Sequence, residues 1–191
     1  MHFSNPDENI KQLGLRPGEK VVIFGSGAGG HTLAAARALA GSGIVYGIDA
    51  RGQMVEKLKK EVSERRHLNV RILPGKVDTY GGTGVHPGTT DAVAIPDTLF
   101  SHQNKEAIFQ EAMRILKPGG RVLVVDWKAS YKGAGPQPEH VFSEEEALAM
   151  AKKTGFEYLK KFSAGQYHYA LIFLKPREDR SRMLRSPSPL A

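Results

Sequence analysis

Gly25-Ser26-Gly27-Ala28-Gly29-Gly30 stands between an apolar run and an alanine-rich segment. Glycines at this spacing allow a tight turn and close backbone approach to a ligand, and the helix that follows offers free N–H groups at its start. The chemistry is that of holding a nucleotide. Two fingerprints fit, Gly-x-Gly-x-x-Gly (25, 27, 30) and Gly-x-Gly-x-Gly (25, 27, 29). Asp49 ends the next apolar run, where a carboxylate accepts hydrogen bonds from ribose hydroxyls in either ligand class. A tight turn beside a capping acid, with no ligand, is the plainer alternative.

Further residues with chemical capacity fall in the segments expected at the same end of the sheet. Asp97, Phe100, Ser101 and His102 follow the fourth apolar run; His102 is the most reasonable general base, against the plainer and favoured reading of a surface histidine at a helix start. Tyr131 and His140 lie in a Pro/Gly-rich loop that reads equally as a cover for substrate or as a plain surface loop. Tyr167, His168 and Tyr169 alternate along the last apolar run and read as packing with cross-strand hydrogen bonds. Seven histidines show no paired ligand spacing, so no metal is expected. The absence of cysteine excludes a cysteine nucleophile, a disulfide framework, C5-pyrimidine chemistry through a cysteine adduct and thiol-based arsenic chemistry.

Hydrophobic periodicity supplies the elements that must position these groups. Asn5-Pro6 opens a short helix with Ile10 and Leu13 on one face. Strands are predicted at Lys20–Phe24, Ile44–Ile48, Asn69–Leu73, Asp91–Ile95 and Arg121–Trp127. Helices are predicted to about Ala40 after the glycine loop, over Gln53–Arg66, and over His102–Leu116. Lys117-Pro118-Gly119-Gly120 reads as a helix stop and turn. Ser143-Glu144-Glu145-Glu146 carries a capping-box pattern for a last helix. Phe156–Phe162 and Gln166–Leu174, joined by Ser163-Ala164-Gly165, can only pair antiparallel. Residues 74–90 show no helical period. Seventeen extended residues reach roughly 55 Å and crossing three strand spacings takes about 15 Å, so a loose crossover is feasible.

A nicotinamide enzyme needs a substrate domain, for which the chain has no room. Instead Val21–Gly29, Val45-Tyr46-Gly47-Ile48-Asp49, Asp91-Ala92-Val93-Ala94-Ile95 and Ala112–Trp127, with its Leu116-Lys117-Pro118-Gly119-Gly120 step, resemble the class I S-adenosylmethionine-dependent methyltransferases of small-molecule type. The resemblance covers residues 5–175 and includes the ending Gly155-Phe156-Glu157 with His168–Phe173. It implies an α/β, Rossmann-like, doubly wound seven-stranded sheet in the order 3-2-1-4-5-7-6, with strand 7 antiparallel. It also implies S-adenosylmethionine as cofactor. Gly25, Ser26, Gly27 and Gly29 would line its methionine and ribose portion, and Asp49 would take the ribose hydroxyls. Ala50 and Arg51 would lie beside the adenosine, Lys76 and Val77 beside the adenine, and Ile95 beneath the sulfonium. Asp97, His102 and Tyr131 are the substrate candidates; no catalytic residue is assigned. Two positions depart from the family pattern: Ile23 and Lys76 stand where acids are usual.

The chain has 191 residues with 25% charged and 40% apolar content, which suits one domain. We expect residues 1–175 to form the cofactor-binding domain and 176–191 a basic, disordered tail. From Lys175 onward, five cations face two acids, so the end of the chain supplies +3 of the formal +7. A small-molecule acceptor is expected; nucleic acid is permitted by the charge but not favoured. The alternatives are a non-catalytic cofactor-binding or regulatory module of the same fold, or an RNA or protein methyltransferase using the basic tail. No apolar run is long enough to span a bilayer, and no signal peptide is legible, so no membrane partner and a cytoplasmic location are expected. Oligomeric state has no signal here.

Overall fold

The computed structural model describes residues 4–177. Helix α1 (Pro6–Leu13) starts where Asn5 accepts hydrogen bonds from the N–H groups of Asp7 and Glu8, and it stops at Gly14 in a left-handed conformation. The chain then runs β1 (Lys20–Phe24), α2 (Gly30–Ala38), β2 (Ile44–Asp49), α3 (Gly52–Glu64), β3 (Val70–Pro74) and β4 (Thr90–Pro96). It continues through α4 (Lys105–Ile115), β5 (Leu116–Trp127), α5 (Glu144–Lys153), β6 (Glu157–Ser163) and β7 (His168–Leu174). One seven-stranded sheet results, in the order β3-β2-β1-β4-β5-β7-β6. Strands β1–β5 pair in parallel, and β7 is antiparallel to both β5 and β6. The expected fold is the observed one.

Alternate residues of each inner strand face opposite layers. Val21 and Ile23 of β1 join Ile10, Leu13, Leu33, Val55 and Leu58 under α1–α3. Val22 and Phe24 join Ile108, Phe109, Ala147 and Phe156 under α4 and α5. A parallel sheet covered on both faces needs apolar residues at nearly every position, which is what residues 21–24 of β1, 92–95 of β4 and 122–125 of β5 supply.

Several boundaries differ from expectation, most by a residue or two, and four differences have a clear local reason. Helix α4 starts at Lys105 rather than His102, because Leu99–Ser101 form a separate 3₁₀ turn and Asn104 caps the helix by accepting from Ala107 N–H. Helix α3 ends at Glu64, before Arg66 turns to a positive φ of 53°. The stretch Lys117–Gly120 belongs to β5: Thr90 pairs with Leu116, and the register then jumps so that Ala92 meets Arg121. Between them the Gly119 N–H donates to the Lys175 carbonyl. The final hairpin turns over Ala164–Tyr167, so β7 begins at His168 instead of Gln166.

The long crossover after β3 contains neither helix nor strand, yet it is anchored. Glu111 of α4 is fully buried and accepts from the N–H groups of Gly81 and Thr83 and from the Thr83 hydroxyl. Arg114, one turn on, pairs with Glu111 and donates to the Val85 carbonyl at 2.8 Å. Burial would raise the Glu111 carboxyl; Arg114 and the loop donors outweigh that and hold it below the usual range. The crossover thus carries its own buried ion pair. Most of the expected basic tail, residues 178–191, lies outside the described residues.

Candidate active site

The strand order reverses between β1 and β4, and the loops beyond their C-terminal ends open there. Gly25 leaves β1 at φ 63°, and a Cβ on it would collide with the Thr98 hydroxyl. Gly29 enters α2 at φ 86°, and a Cβ there would strike Leu58. Only glycine satisfies both the backbone and the space at these two positions. Ser26 N–H donates to the Ile48 carbonyl, which ties the loop to β2. Its hydroxyl is buried and has no hydrogen-bond partner among the described residues.

Asp49 ends β2 with both carboxylate oxygens engaged. Gly27 N–H donates to Oδ2 at 2.9 Å, and Arg51 N–H to Oδ1 at 3.0 Å. The Arg51 guanidinium adds a bidentate pair, Nε to Oδ1 and Nη2 to Oδ2. Burial pushes the Asp49 carboxyl up, but these donors prevail and hold it at about 2. It is an anion under all working conditions.

Two clefts flank this loop. One, of about 340 Å³, is lined by Asp49, Ala50, Gly75, Val77, Phe100 and His102 among others. The other, of about 350 Å³, runs over the glycine loop to Pro6, His31, Trp127 and His168. Gly25, Arg51 and Asp97 line both. Each cleft is of small-ligand size, and the two are neighbours that share Gly25, Arg51 and Asp97.

The turn after β4 is fixed from below. Asp97 adopts φ 46°, and its N–H donates to the Val125 carbonyl. Thr98 donates its hydroxyl to the Pro96 carbonyl at 2.7 Å and lies 3.2 Å from that of Phe24. Asp126, fully buried at the end of β5, accepts from Leu99 and Phe100 N–H on Oδ2 and from Trp127 N–H on Oδ1. Burial dominates there and lifts its carboxyl to about 7. On the outer side Asp97 Oδ1 lies 3.0 Å from His168 Nε2, and the Trp127 ring rests on His168 at a centroid distance of 4.3 Å. His31, in the first turn of α2, is buried with Nε2 3.1 Å from the Asn9 amide nitrogen. Burial lowers its pKa to about 4, so its ring is neutral.

Of the residues singled out in the sequence, Gly25, Ser26, Gly27, Gly29, Asp49, Ala50, Arg51, Val77, Asp97 and His102 line one or both clefts. Lys76 is exposed and lines neither. Ile95 lies in the core one residue behind Pro96. His102 faces the Asp49 side of the site, with Nδ1 donating to the Thr98 carbonyl at 2.9 Å. Tyr131 packs edge-on against Tyr167 and reaches the site only through Trp127. Tyr169 fulfils its packing role by donating to the Phe142 carbonyl. His168 packs across the strand pair on Trp127 and, beyond that expectation, faces Asp97. Sequence reasoning also passed over His31, Trp127, Thr98 and Asp126. A polar residue in the first turn after a glycine loop, and an acid-aromatic pair ending a strand, were the available signals.

Residues 21–120, just over half the chain, match the family described as "Methyltransferase domain". The chain belongs to the methyltransferase-domain family. An arsenite methyltransferase of Halobacterium salinarum is 30% identical over 112 residues, covering 59% of this chain and 28% of that protein. A demethylmenaquinone methyltransferase of a Geobacillus species is 27% identical over 125 residues, covering 65% and 52%. This family member thus spans about half or less of the length of those relatives. Among solved structures, a SAM-dependent methyltransferase from Aquifex aeolicus superposes with a TM-score of 0.82 at 24% identity, covering 91% of this chain and 90% of that one. At that identity the likeness shows the fold. Within the methyltransferase-domain family, then, this chain couples the expected sheet to an imidazole-carboxylate cluster at the second cleft.

Proposed function

We propose that this chain transfers a methyl group from S-adenosylmethionine to a small-molecule acceptor by in-line displacement. The observation that carries the reading is the pair of neighbouring clefts that share Gly25, Arg51 and Asp97, with the Asp49 anion on one side and His31, Trp127 and His168 on the other. The residues present suit the cofactor. Side-chain-free Gly25 and Gly29 leave room along the loop, the Ser26 hydroxyl is without a partner, and Ala50 and Val77 offer apolar contact to a flat base.

The sulfonium supplies an activated methyl group, so the protein's task is alignment. Holding nucleophile, methyl carbon and sulfur in line can supply several kcal/mol, up to roughly 7–11 kcal/mol in favourable systems, without side-chain chemistry. The glycine loop and Asp49 would hold the nucleoside end. The turn after β4, fixed by Thr98 and Asp126, would set the floor at the reacting centre. A general base is needed only where the nucleophile must lose a proton.

The relatives are named for arsenite, demethylmenaquinone and phosphoethanolamine. This chain has no cysteine to offer a thiolate to arsenic, which weighs against the first. A cytoplasmic location remains part of the proposal; no helix among the described residues is long and apolar enough to cross a membrane. A second reading, a cofactor-binding or regulatory module without turnover, is favoured by one feature alone: Arg51 already occupies the Asp49 carboxylate. A melting scan with S-adenosylhomocysteine and with NAD tests the proposal. A ligand at a hundredfold excess over its Kd stabilises the native state by about 2.7 kcal/mol, a shift of several degrees. We expect that shift with S-adenosylhomocysteine; a shift with NAD alone would overturn the reading.

A further inference from the structure

Asp97 stands where the two clefts meet, and among the described residues no lysine or arginine pairs with it. Its Oδ1 faces His168 Nε2 at 3.0 Å, while 42% of its side chain stays open to the clefts. The other carboxylate lining them, Asp49, is taken by Arg51. Among the described residues Arg51 is also the lone lysine or arginine that lines either cleft, so none of them offers Asp97 a second cation. His31 contributes no charge, since burial keeps it neutral. Taken together, the described residues lining the two clefts therefore leave one net negative charge, on Asp97.

His168 is built to hold that charge in place. Its side chain is 2% exposed and lies under the Trp127 ring. Nδ1 is buried and has no hydrogen-bond partner among the described residues, so a proton there would be stranded. The tautomer that satisfies the packing carries its proton on Nε2 and donates it to Asp97. The carboxylate keeps Oδ2 for a ligand. Asp97 also holds a left-handed backbone, which aims its side chain from the tip of β4.

We propose that Asp97, oriented by His168, is the acceptor-site carboxylate, and that it takes the amino group of a nitrogen acceptor. The inference rests on the methyl-transfer reading above. An ammonium is drawn to the uncompensated carboxylate and donates to Oδ2. It sheds one proton through that carboxylate to solvent, which frees the nitrogen lone pair. The lone pair then forms the N–C bond as the C–S bond breaks, and that electron pair stays on sulfur. An acceptor whose reacting group is a phosphate or carboxylate would be repelled at the same point. Asp97 touches the acceptor; His168 is a positioning residue.

Sinefungin tests this without knowledge of the acceptor. Its amine-bearing carbon replaces the methylated sulfur, so an ammonium stands where the methyl group would be. Calorimetric titration of the wild type should show sinefungin binding more tightly than S-adenosylhomocysteine, on the order of tenfold. Asp97→Asn should abolish the preference while S-adenosylhomocysteine affinity stays within about twofold, and His168→Gln should reduce it. An unchanged preference in Asp97→Asn, or equal weakening of both ligands, would overturn the inference. Failure of either ligand to bind the wild type would instead sink the methyl-transfer reading. The nitrogen assignment has its own measurement. With S-adenosylhomocysteine bound, ethylammonium should shift the His168 ring ¹⁵N resonance and ethanol at the same concentration should not. An equal or larger response to ethanol would overturn it.

Discussion

Arg51 lays its guanidinium across the carboxylate of Asp49, Nε on Oδ1 at 2.9 Å and Nη2 on Oδ2 at 2.8 Å. Ribose hydroxyls need those same oxygens. Asp49 is nearly closed off, whereas the Arg51 side chain is 64% exposed and has room to swing aside. Arg51→Ala should therefore tighten S-adenosylhomocysteine by up to about fivefold, the range of a modest exposed charge interaction. It should also raise the Asp49 carboxyl from about 2. Weaker binding in Arg51→Ala would make Arg51 a ligand contact instead of a competitor.

Ile23 occupies the position where the family pattern has an acid, and it is fully buried beside Gly47 and Ala94. Restoring the acid is thus predicted to fail. Ile23→Asp should lose several kcal/mol of stability in urea denaturation, or about as much by shifting its own pKa sharply upward. Ile23→Val should lose only about 0.5–1.5 kcal/mol. An aspartate variant as stable as wild type would mean that the cleft extends to this side chain.

The Glu111–Arg114 pair should govern the crossover after β3. Removing one partner strands a buried charge, which costs about 3–5 kcal/mol. Glu111→Ala should open the loop around Gly81–Val85 to proteolysis and lower the melting temperature. The Glu111 pKa is depressed in the folded state, so its contribution is complete above the unfolded carboxylate pKa and is lost as pH falls through the folded value. Uncut loop in Glu111→Ala would show that the backbone hydrogen bonds hold it unaided.

Asp126 and His31 pull the pH dependence in opposite directions. Burial raises the Asp126 pKa to about 7, so between about 4 and 7 the folded state binds the extra proton and stability falls as pH rises. Burial lowers His31 to about 4, so between about 4 and 6.5 the unfolded state binds the extra proton and stability rises with pH. The wild type should be nearly flat over that interval. Asp126→Asn should expose the rising slope of His31, and His31→Gln the falling slope of Asp126. Denaturation midpoints at about pH 4.5, 5.5 and 6.5, inside that interval, check both signs. Parallel slopes in the two variants would contradict the assignment.

Much of this molecule was legible in its sequence because the signals were local. Strand and helix rhythms, the glycine loop, Asp49 and the capping box at Ser143 each need only a few neighbours to be read. The half of the site around Asp97 was not. His31, Trp127 and His168 come from three distant elements, and only the β1-β4-β5-β7 order brings them to one cleft. His168 alternates like any strand residue; nothing in that pattern distinguishes packing from contact with Asp97. The Glu111–Arg114 anchor was hidden for the same reason, since an i,i+3 ion pair on a helix usually faces solvent.

The central claim is that Asp49 and the glycine loop form an S-adenosylmethionine site. Calorimetric titration of S-adenosylhomocysteine into wild type and Asp49→Asn tests it most directly. Loss of charge-assisted hydrogen bonds to the ribose, roughly 1.5–3 kcal/mol, predicts a Kd weakened by about ten- to a hundredfold in a variant that remains folded. Equal affinity in the two proteins would contradict the account.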